Sequence, residues 1–493
     1  MRAPLDMIGV APDDDAVDAS PERWSAANNV FARSGRMQRS AGDLLVIDTA
    51  GKAPRVMVQA TFGGLAYLVY ACDAGIFAHN GDHEFDISPA DWTAPGASAV
   101  WTATTLHGAP VINVSDRDPV YWAGDTLTAC AALPDWPASG RCLAIRAHKT
   151  FLFAVGMISE GPGVVRISDS AEPGTMPAAW GPAAENLADV RDLGGVVLDA
   201  SPLGDELLIY SETEIHGASF VGGTYIWSMR SVHTGAGLAN TGALAVSSGG
   251  THVFVASDGD ILECAGQAPQ SLIDGRALDD FRATRAGDAL VFSAPQIRSV
   301  VVAYDSGSGA LDRSLVLEDR TGHIGYRAGG FACVTVAEPL SQSSGGAWSD
   351  AVTSWAEAVG GWGGSFGPRP GQVALVGSAA GVSVLEGGAD DAVSATLSRS
   401  PVDLTGGARA QVRALEPVVL GDAGTVLQFR VSTAEFQGGP VSLTRAVHFV
   451  IGRDRVVHVL TSGRYVGVEV SSNGAGHWRL SKIAIDWEGA GQW

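Results

Sequence analysis

The chain has 493 residues, 46% of them hydrophobic, which excludes a disordered protein and leaves room for more than one core. Its 63 glycines and 23 prolines demand many turns and exclude a mainly helical fold. With 53 acidic against 32 basic residues, a net charge of −21 and no Lys/Arg cluster, it lacks the basic patch that gripping a nucleic-acid backbone requires.

Five cysteines, Cys72, Cys130, Cys142, Cys264 and Cys333, are widely spaced and form no C-x-x-C. That pattern supports neither a zinc site nor a redox motif, and predicts buried thiols in a chain made in a cytoplasm. The start, MRAPLDMIGVAPDDD, has no apolar signal core. No run approaches the roughly 18 apolar residues of a membrane helix, so no membrane segment is expected.

In chain order, residues 1–50 read as an N-terminal arm. The acidic stretch Pro12-Asp13-Asp14-Asp15 lacks the glycine and terminal glutamate of an EF-hand and reads as a solvated tail. Ser20-Pro21 is a helix-start signal, which predicts a short helix over Pro21–Asn28 packing on the C-terminal platform. NNVFARSGRMQRSAG then reads as strand, Ser-Gly turn and strand.

Residues 51–391 carry short β-type runs of four to eight residues, cut by turn residues. The first are VMVQA, LAYLVY, GIFAH and HEFDI. His79 and His83 flank the hairpin turn Asn80-Gly81-Asp82, and no third metal ligand is fixed by spacing. The stretch Val196–Phe281 is the clearest case. LLIY, EIHGASF, TYIWSMRSV, LAVSS, HVFVA and ILECAG alternate with Gly-Gly and Asp-Gly breaks, the grammar of consecutive antiparallel hairpins. Ser271–Ala283 holds one or two helical turns. Four-stranded blades over about 340 residues predict a β-propeller of about six to eight blades.

Trp348, Trp355 and Trp362 are spaced by seven, and the nearby Gly360-Gly361 makes a loop pinned by indole rings the better reading than a helix. Gly363-Gly364-Ser365-Phe366-Gly367 matches G-x-S-x-G. The prolines that follow deny it the helix a nucleophile elbow needs. From about Ala392 the strands lengthen and alternate apolar with polar residues, so residues 392–493 read as a C-terminal β-sandwich-like platform. Ser471–Trp478 approximates an Asp-box turn once, with Ala475 where that pattern has glycine, and reads as a turn. The fold class is therefore all-β, a propeller with an additional sandwich-like platform.

Four stretches together carry a resemblance. They are Trp24–Gly42; Ala99–Asn113; SETEIHGASFVGG with the following aromatic strand and THVFVASDGDILECAGQAP; and GRYVGVEVSSN with HWRLSKIAIDWEGAG, joined by the upstream tryptophans. In that order and spacing the chain resembles the β-propeller tail nozzle or hub proteins of short-tailed bacteriophages. The resemblance implies a structural virion protein, synthesised in the bacterial host cytoplasm. It would form a homohexameric ring around the DNA exit channel, retaining and then releasing the genome. It implies contacts with neighbouring tail proteins (adaptor, fibres or needle) and passage of double-stranded DNA without sequence-specific binding.

The resemblance implies no catalysis. No residue is assigned as catalytic, cofactor-binding or metal-binding, and no cofactor is expected. Two other classes compete. A carbohydrate- or receptor-binding propeller could stack sugars on Trp136, Trp180 and Trp348, although such rings also pack loops onto sheets. A propeller glycosidase needs paired carboxylates, but Asp258, Asp260 and Asp279 sit in or near turn sequences and nothing pairs them.

Overall fold

The computed structural model describes residues 2–5, 8–14, 22–138, 140–180, 190–193, 195–222, 226–338, 340, 371–388 and 393–489. Five strands come first: β1 (Arg2–Leu5), β2 (Ala26–Asn28), β3 (Val30–Arg33), β4 (Arg36–Arg39) and β5 (Leu44–Ile47). Blade 1 follows as β6 (Val56–Phe62), β7 (Leu65–Cys72), β8 (Gly75–His79) and β9 (Glu84–Asp86). Blade 2 is β10 (Trp101–Leu106), β11 (Ala109–Val114), β12 (Val120–Tyr121) and β13 (Ala131–Ala132). Blade 3 is β14 (Cys142–His148), β15 (Phe151–Met157), β16 (Val164–Ile167) and β17 (Val190–Asp192). Blade 4 is β18 (Val197–Leu203), β19 (Glu206–Ser211), β20 (Glu214–Phe220) and β21 (Trp227–Thr234).

Blade 5 is β22 (Leu244–Val246), β23 (His252–Val255), β24 (Ile261–Cys264) and β25 (Gln270–Ser271), followed by helix α1 (Leu278–Thr284). Blade 6 is β26 (Ala289–Ala294), β27 (Ser299–Asp305), β28 (Leu311–Glu318) and β29 (Ile324–Ala328). Blade 7 takes β30 (Cys333–Ala337), β31 (Val373–Ser378) and β32 (Gly381–Val384) from one end of the chain and β5 from the other. All pairings between named strands are antiparallel, in the order β30-β31-β32-β5 for this last blade.

The chain is an all-β propeller of seven four-stranded blades among the described residues. Its innermost strands β6, β10, β14, β18, β22, β26 and β30 touch in cyclic order, and β30 meets β6. The second strand of a blade lies between two neighbouring sheets, so both its faces are buried. Hence β15, β19 and β27 are continuous apolar runs and not alternating ones. Blade 7 closes the ring because its outermost strand is N-terminal. The closing seam is tight: a Cβ on Gly381 would lie 2.2 Å from the Ile47 carbonyl oxygen, and its φ of +128° already disfavours a side chain.

The remaining strands are β33 (Ala395–Asp403), β34 (Ala410–Gly421), β35 (Val426–Ala434), β36 (Ser442–Leu443), β37 (Val447–Val450), β38 (Val457–Gly463), β39 (Tyr465–Ser472) and β40 (Trp478–Gly489). They form a two-sheet platform with strands from the N-terminus. One sheet runs β3-β4-β40-β34-β38, with β1 beside β4 on the same edge of β40. The other runs β2-β33-β39-β35, with β36 and β37 sharing the far edge of β35. Alternation along β34 and β40 sends Val412, Leu415, Leu480, Ile483 and Ile485 inward, against Leu397, Phe429, Val431, Val468 and Val470 of the facing sheet.

The two bodies share one core. Trp24, Val30, Ala32 and Met37 sit in the same buried cluster as platform residues and as Tyr210, Phe254 and Tyr304 of the propeller. The seam is the β29–β3 pairing, Tyr326 opposite Val30, which makes blade 6 continuous with the platform sheet. Gly325 permits it, because a Cβ there would lie 2.2 Å from the Phe31 Cα.

Two expectations for the arm are corrected. The helix over Pro21–Asn28 does not form among the described residues; Ala26–Asn28 is strand β2, paired with Thr396–Ser398 of β33. Ladder bonds and burial of Trp24 outweigh the local helix-start signal. The acidic stretch is not simply a solvated tail either. The Asp13 carboxylate accepts the backbone N–H groups of Asp279 and Asp280, both at 2.9 Å, and so caps helix α1 from far away in sequence. The tryptophans at 348, 355 and 362 and the G-x-S-x-G at 363–367 lie outside the described residues.

Candidate functional site

The innermost strands enclose an axial cavity of about 460 Å³. Among the described residues its wall is largely apolar, with Met57, Val58, Leu244, Phe292 and Val334, and Arg146 is the single charged residue in it. That charge is consumed internally. Arg146 Nε and Nη2 donate to the two Asp199 oxygens at 2.8 and 3.0 Å, and Nη1 donates to the Ala103 carbonyl at 3.0 Å. Asp199, only 3% exposed in its side chain, also accepts the Gly242 N–H at 3.1 Å. One ion pair thus stitches blades 2, 3, 4 and 5 and leaves no free charge among the described residues that line the cavity.

Side-chain amides do the same elsewhere. Asn113 reaches the Cys142 carbonyl of blade 3, and Asn240 exchanges two hydrogen bonds with the Ala289 backbone of blade 6. Gln296 bridges to Ala374 and Leu385 of blade 7. Gln59 exchanges two with the Glu338 backbone, at 3.0 and 2.9 Å, which closes blade 7 onto blade 1. The His252 imidazole, in blade 5, lies between the Tyr210 hydroxyl at 2.8 Å and the Pro202 carbonyl at 2.9 Å of blade 4. Burial pulls its pKa down to about 4, so the ring is neutral, with Nε2–H donating to Pro202 and Nδ1 accepting from Tyr210.

The residues singled out in the sequence fall into structural roles. Trp180 is buried and meets Trp136 edge-on, with ring centroids 4.7 Å apart, and Trp136 Nε1 donates to the Gly140 carbonyl at 2.6 Å. These two rings pack loops onto blade 3 and do not form an open sugar platform. Trp348 lies outside the described residues. His79 Nδ1 accepts the Gly81 N–H inside its own turn, and burial lowers its pKa. Asp258 Oδ1 accepts the Asp260 N–H, and Asp260 accepts from Ser271 and its neighbour Ile261. Asp279 lies in the first turn of α1. The three acids form no facing carboxylate pair.

All five cysteines are free and buried. Burial pushes the Cys130 thiol up to about 12 and raises Cys142 and Cys333, which withholds the thiolate that nucleophilic chemistry needs. Among the described residues no cluster of three His, Cys, Asp or Glu could hold a metal ion. No helix among them is long and apolar enough to cross a membrane.

What the chain does present is unpaired sheet edge. Outer strands of most blades are polar or minimal: Glu84–Asp86 in β9, Ala131–Ala132 in β13 and Gln270–Ser271 in β25. Strand β5 departs from this, with Leu44, Leu45 and Val46 all exposed. On the platform, Phe436, Val441 and Leu443 are exposed along the β35–β36 edge, and Leu460 on edge strand β38. Sequence reasoning missed the Arg146–Asp199 pair. The available signal was an arginine inside the apolar run CLAIRAH.

No protein-family model matches the chain, and no curated protein matches it. Solved structures do. One is PorZ, an essential bacterial surface component of the type-IX secretion system of Porphyromonas gingivalis. It is 14% identical with a TM-score of 0.38, over 83% of this chain and 46% of that one. The chain thus spans less than half the length of PorZ. The WD40 β-propeller domain of Doa1 matches at 8% identity and TM-score 0.36, over 71% of this chain and 96% of that one. YCF48 from Cyanidioschyzon merolae matches at 9% and 0.40, over 70% and 98%. At these values the likenesses concern fold and carry no argument about function.

Proposed function

We propose that the chain is a structural component of a short bacteriophage tail, a nozzle or hub protein that assembles as a homohexameric ring around the DNA exit channel. The propeller sits at the periphery and the platform forms the ring. The observation that carries this reading is the platform itself. Both chain ends are woven into one sandwich, fused to blade 6 through β29–β3–β4–β40, and that sandwich offers apolar free edges. Such a body is suited to bonding with copies while holding the propeller rigidly outside. The four sequence stretches that resemble tail proteins include the N-terminal strands β2 to β4 and the C-terminal strands β39 and β40 that build it.

The reading assigns no catalysis. Its role for the net charge of −21 is electrostatic: carboxylates facing the lumen of the ring repel phosphate, so DNA slides through without sticking. Neighbouring tail proteins, an adaptor and a fibre or needle, complete the channel and its closure. Electron microscopy of the purified chain, alone and with its neighbouring tail proteins, tests the proposal. Rings of six copies around a channel support it. A monomeric propeller that joins no particle overturns it and turns attention to glycan binding and glycosidase assays.

A further inference from the structure

Among the described residues strand β5 is paired on one side only, with Val382–Val384 of β32. Its Leu44, Leu45 and Val46 are 44, 49 and 47% exposed, three consecutive aliphatic residues on an unpaired edge. An edge of this kind pairs with other chains unless it is covered, and the outer strands of the other blades are polar, minimal or, for β29, covered by β3. The exposed Asp48 closes the run and accepts only the Ala50 N–H two residues on, while Asp43 at its other end is paired with Arg327.

A second edge on the same chain has the opposite charge. Along the hairpin that leads from β35 into β36, Phe436, Val441 and Leu443 are 61, 51 and 52% exposed. Beside them stand Arg445 and Arg464, both exposed, with no side-chain ion pair among the described residues. In a chain of such acidic balance, free arginines next to exposed aliphatic residues are notable. On the same platform Arg409 pairs with Glu435 and Arg413 with Glu488, while Arg455 and Arg479 are exposed without an ion pair among the described residues.

We propose that these two edges are the two halves of one head-to-tail interface. The Asp43–Asp48 edge of one copy pads against the Phe436–Arg445 edge of the next, with Asp48 facing Arg445. Apolar residues meet apolar residues, acid meets base, and strand edge meets strand edge. Because the patches differ, the contact is heterologous and generates a closed ring when its rotation closes. This rests on the ring reading given above and has blade 7 join the platform in making the ring, through its outer strand β5.

The test is sedimentation of the full chain across a concentration series. Asp48→Arg and Arg445→Asp each weaken ring formation by about tenfold or more, since each places like charges together, and the double variant restores it. Both positions are exposed, so the variants fold. As a second measurement, Leu45→Cys and Leu443→Cys chains are mixed and oxidised. A disulfide between the two variants, against a background of buried native thiols, is the expected result. Rings that ignore both charge reversals, or cysteines that fail to cross-link within rings, overturn this interface and leave the ring reading standing. A chain that stays monomeric at every concentration, with and without neighbouring tail proteins, overturns both.

Discussion

The Arg327 guanidinium and the Glu386 carboxylate meet at 2.9 Å with side chains only 3 and 1% exposed, and they tie the last strand of blade 6 to the residues just after blade 7. Glu386 also accepts the Ser40 hydroxyl and the Ala41 N–H, while Arg327 pairs with Asp43. The knot therefore fastens the N-terminal segment just before β5 closes the ring. Burial disfavours the arginine's charge, but the two acids outweigh it, and its pKa is raised.

Breaking that pair leaves a buried charge short of a partner. Glu386→Ala should lower unfolding free energy by about 3–5 kcal/mol. Urea unfolding measures this, and limited proteolysis should show earlier cleavage between β4 and β5 than in the parent chain. Unchanged stability would mean that the pair does not fasten the closing strand.

Gly325 should tolerate no side chain. Gly325→Ala forces a Cβ into the Phe31 backbone and should cost about 1–3 kcal/mol. Gly330→Ala is the control, with nothing within 4 Å of its Cβ position. Thermal unfolding compares the two. Equal melting temperatures would refute the tight β29–β3 seam.

His252 makes stability depend on pH. Its folded pKa of about 4 lies below the unfolded 6.5, so the unfolded chain binds the proton first. Its contribution is complete above pH 6.5 and is lost as pH falls from 6.5 towards 4, up to about 3 kcal/mol in all. His252→Gln should flatten that part of the stability profile, as read by urea titrations at several pH values. A variant profile as steep as the parent's would rule out His252 as the source.

Asp13 should matter to a helix far from it in sequence. Local capping is absent at Ala277, so Asp13→Ala removes the side-chain acceptor that serves the Asp279 and Asp280 N–H groups. The expected loss is about 1 kcal/mol. Hydrogen exchange should quicken at those two amides while the innermost strands keep their protection, and unaltered exchange there would remove Asp13 from this role.

The sequence by itself determined the all-β class, the hairpin grammar and the change to longer alternating strands near Ala392. These are local properties: strand period, turn chemistry and run length are written within about ten residues. The tertiary structure alone decided that Leu44–Ile47 completes blade 7 and that Ala26–Asn28 is a strand. It also decided that Asp13 caps α1, that Arg146 is neutralised by Asp199, and that Arg327 is held by Glu386 and Asp43. Each of these joins residues tens to hundreds of positions apart. Their free energy comes from partners and burial that only the closed ring supplies, and no local pattern records it.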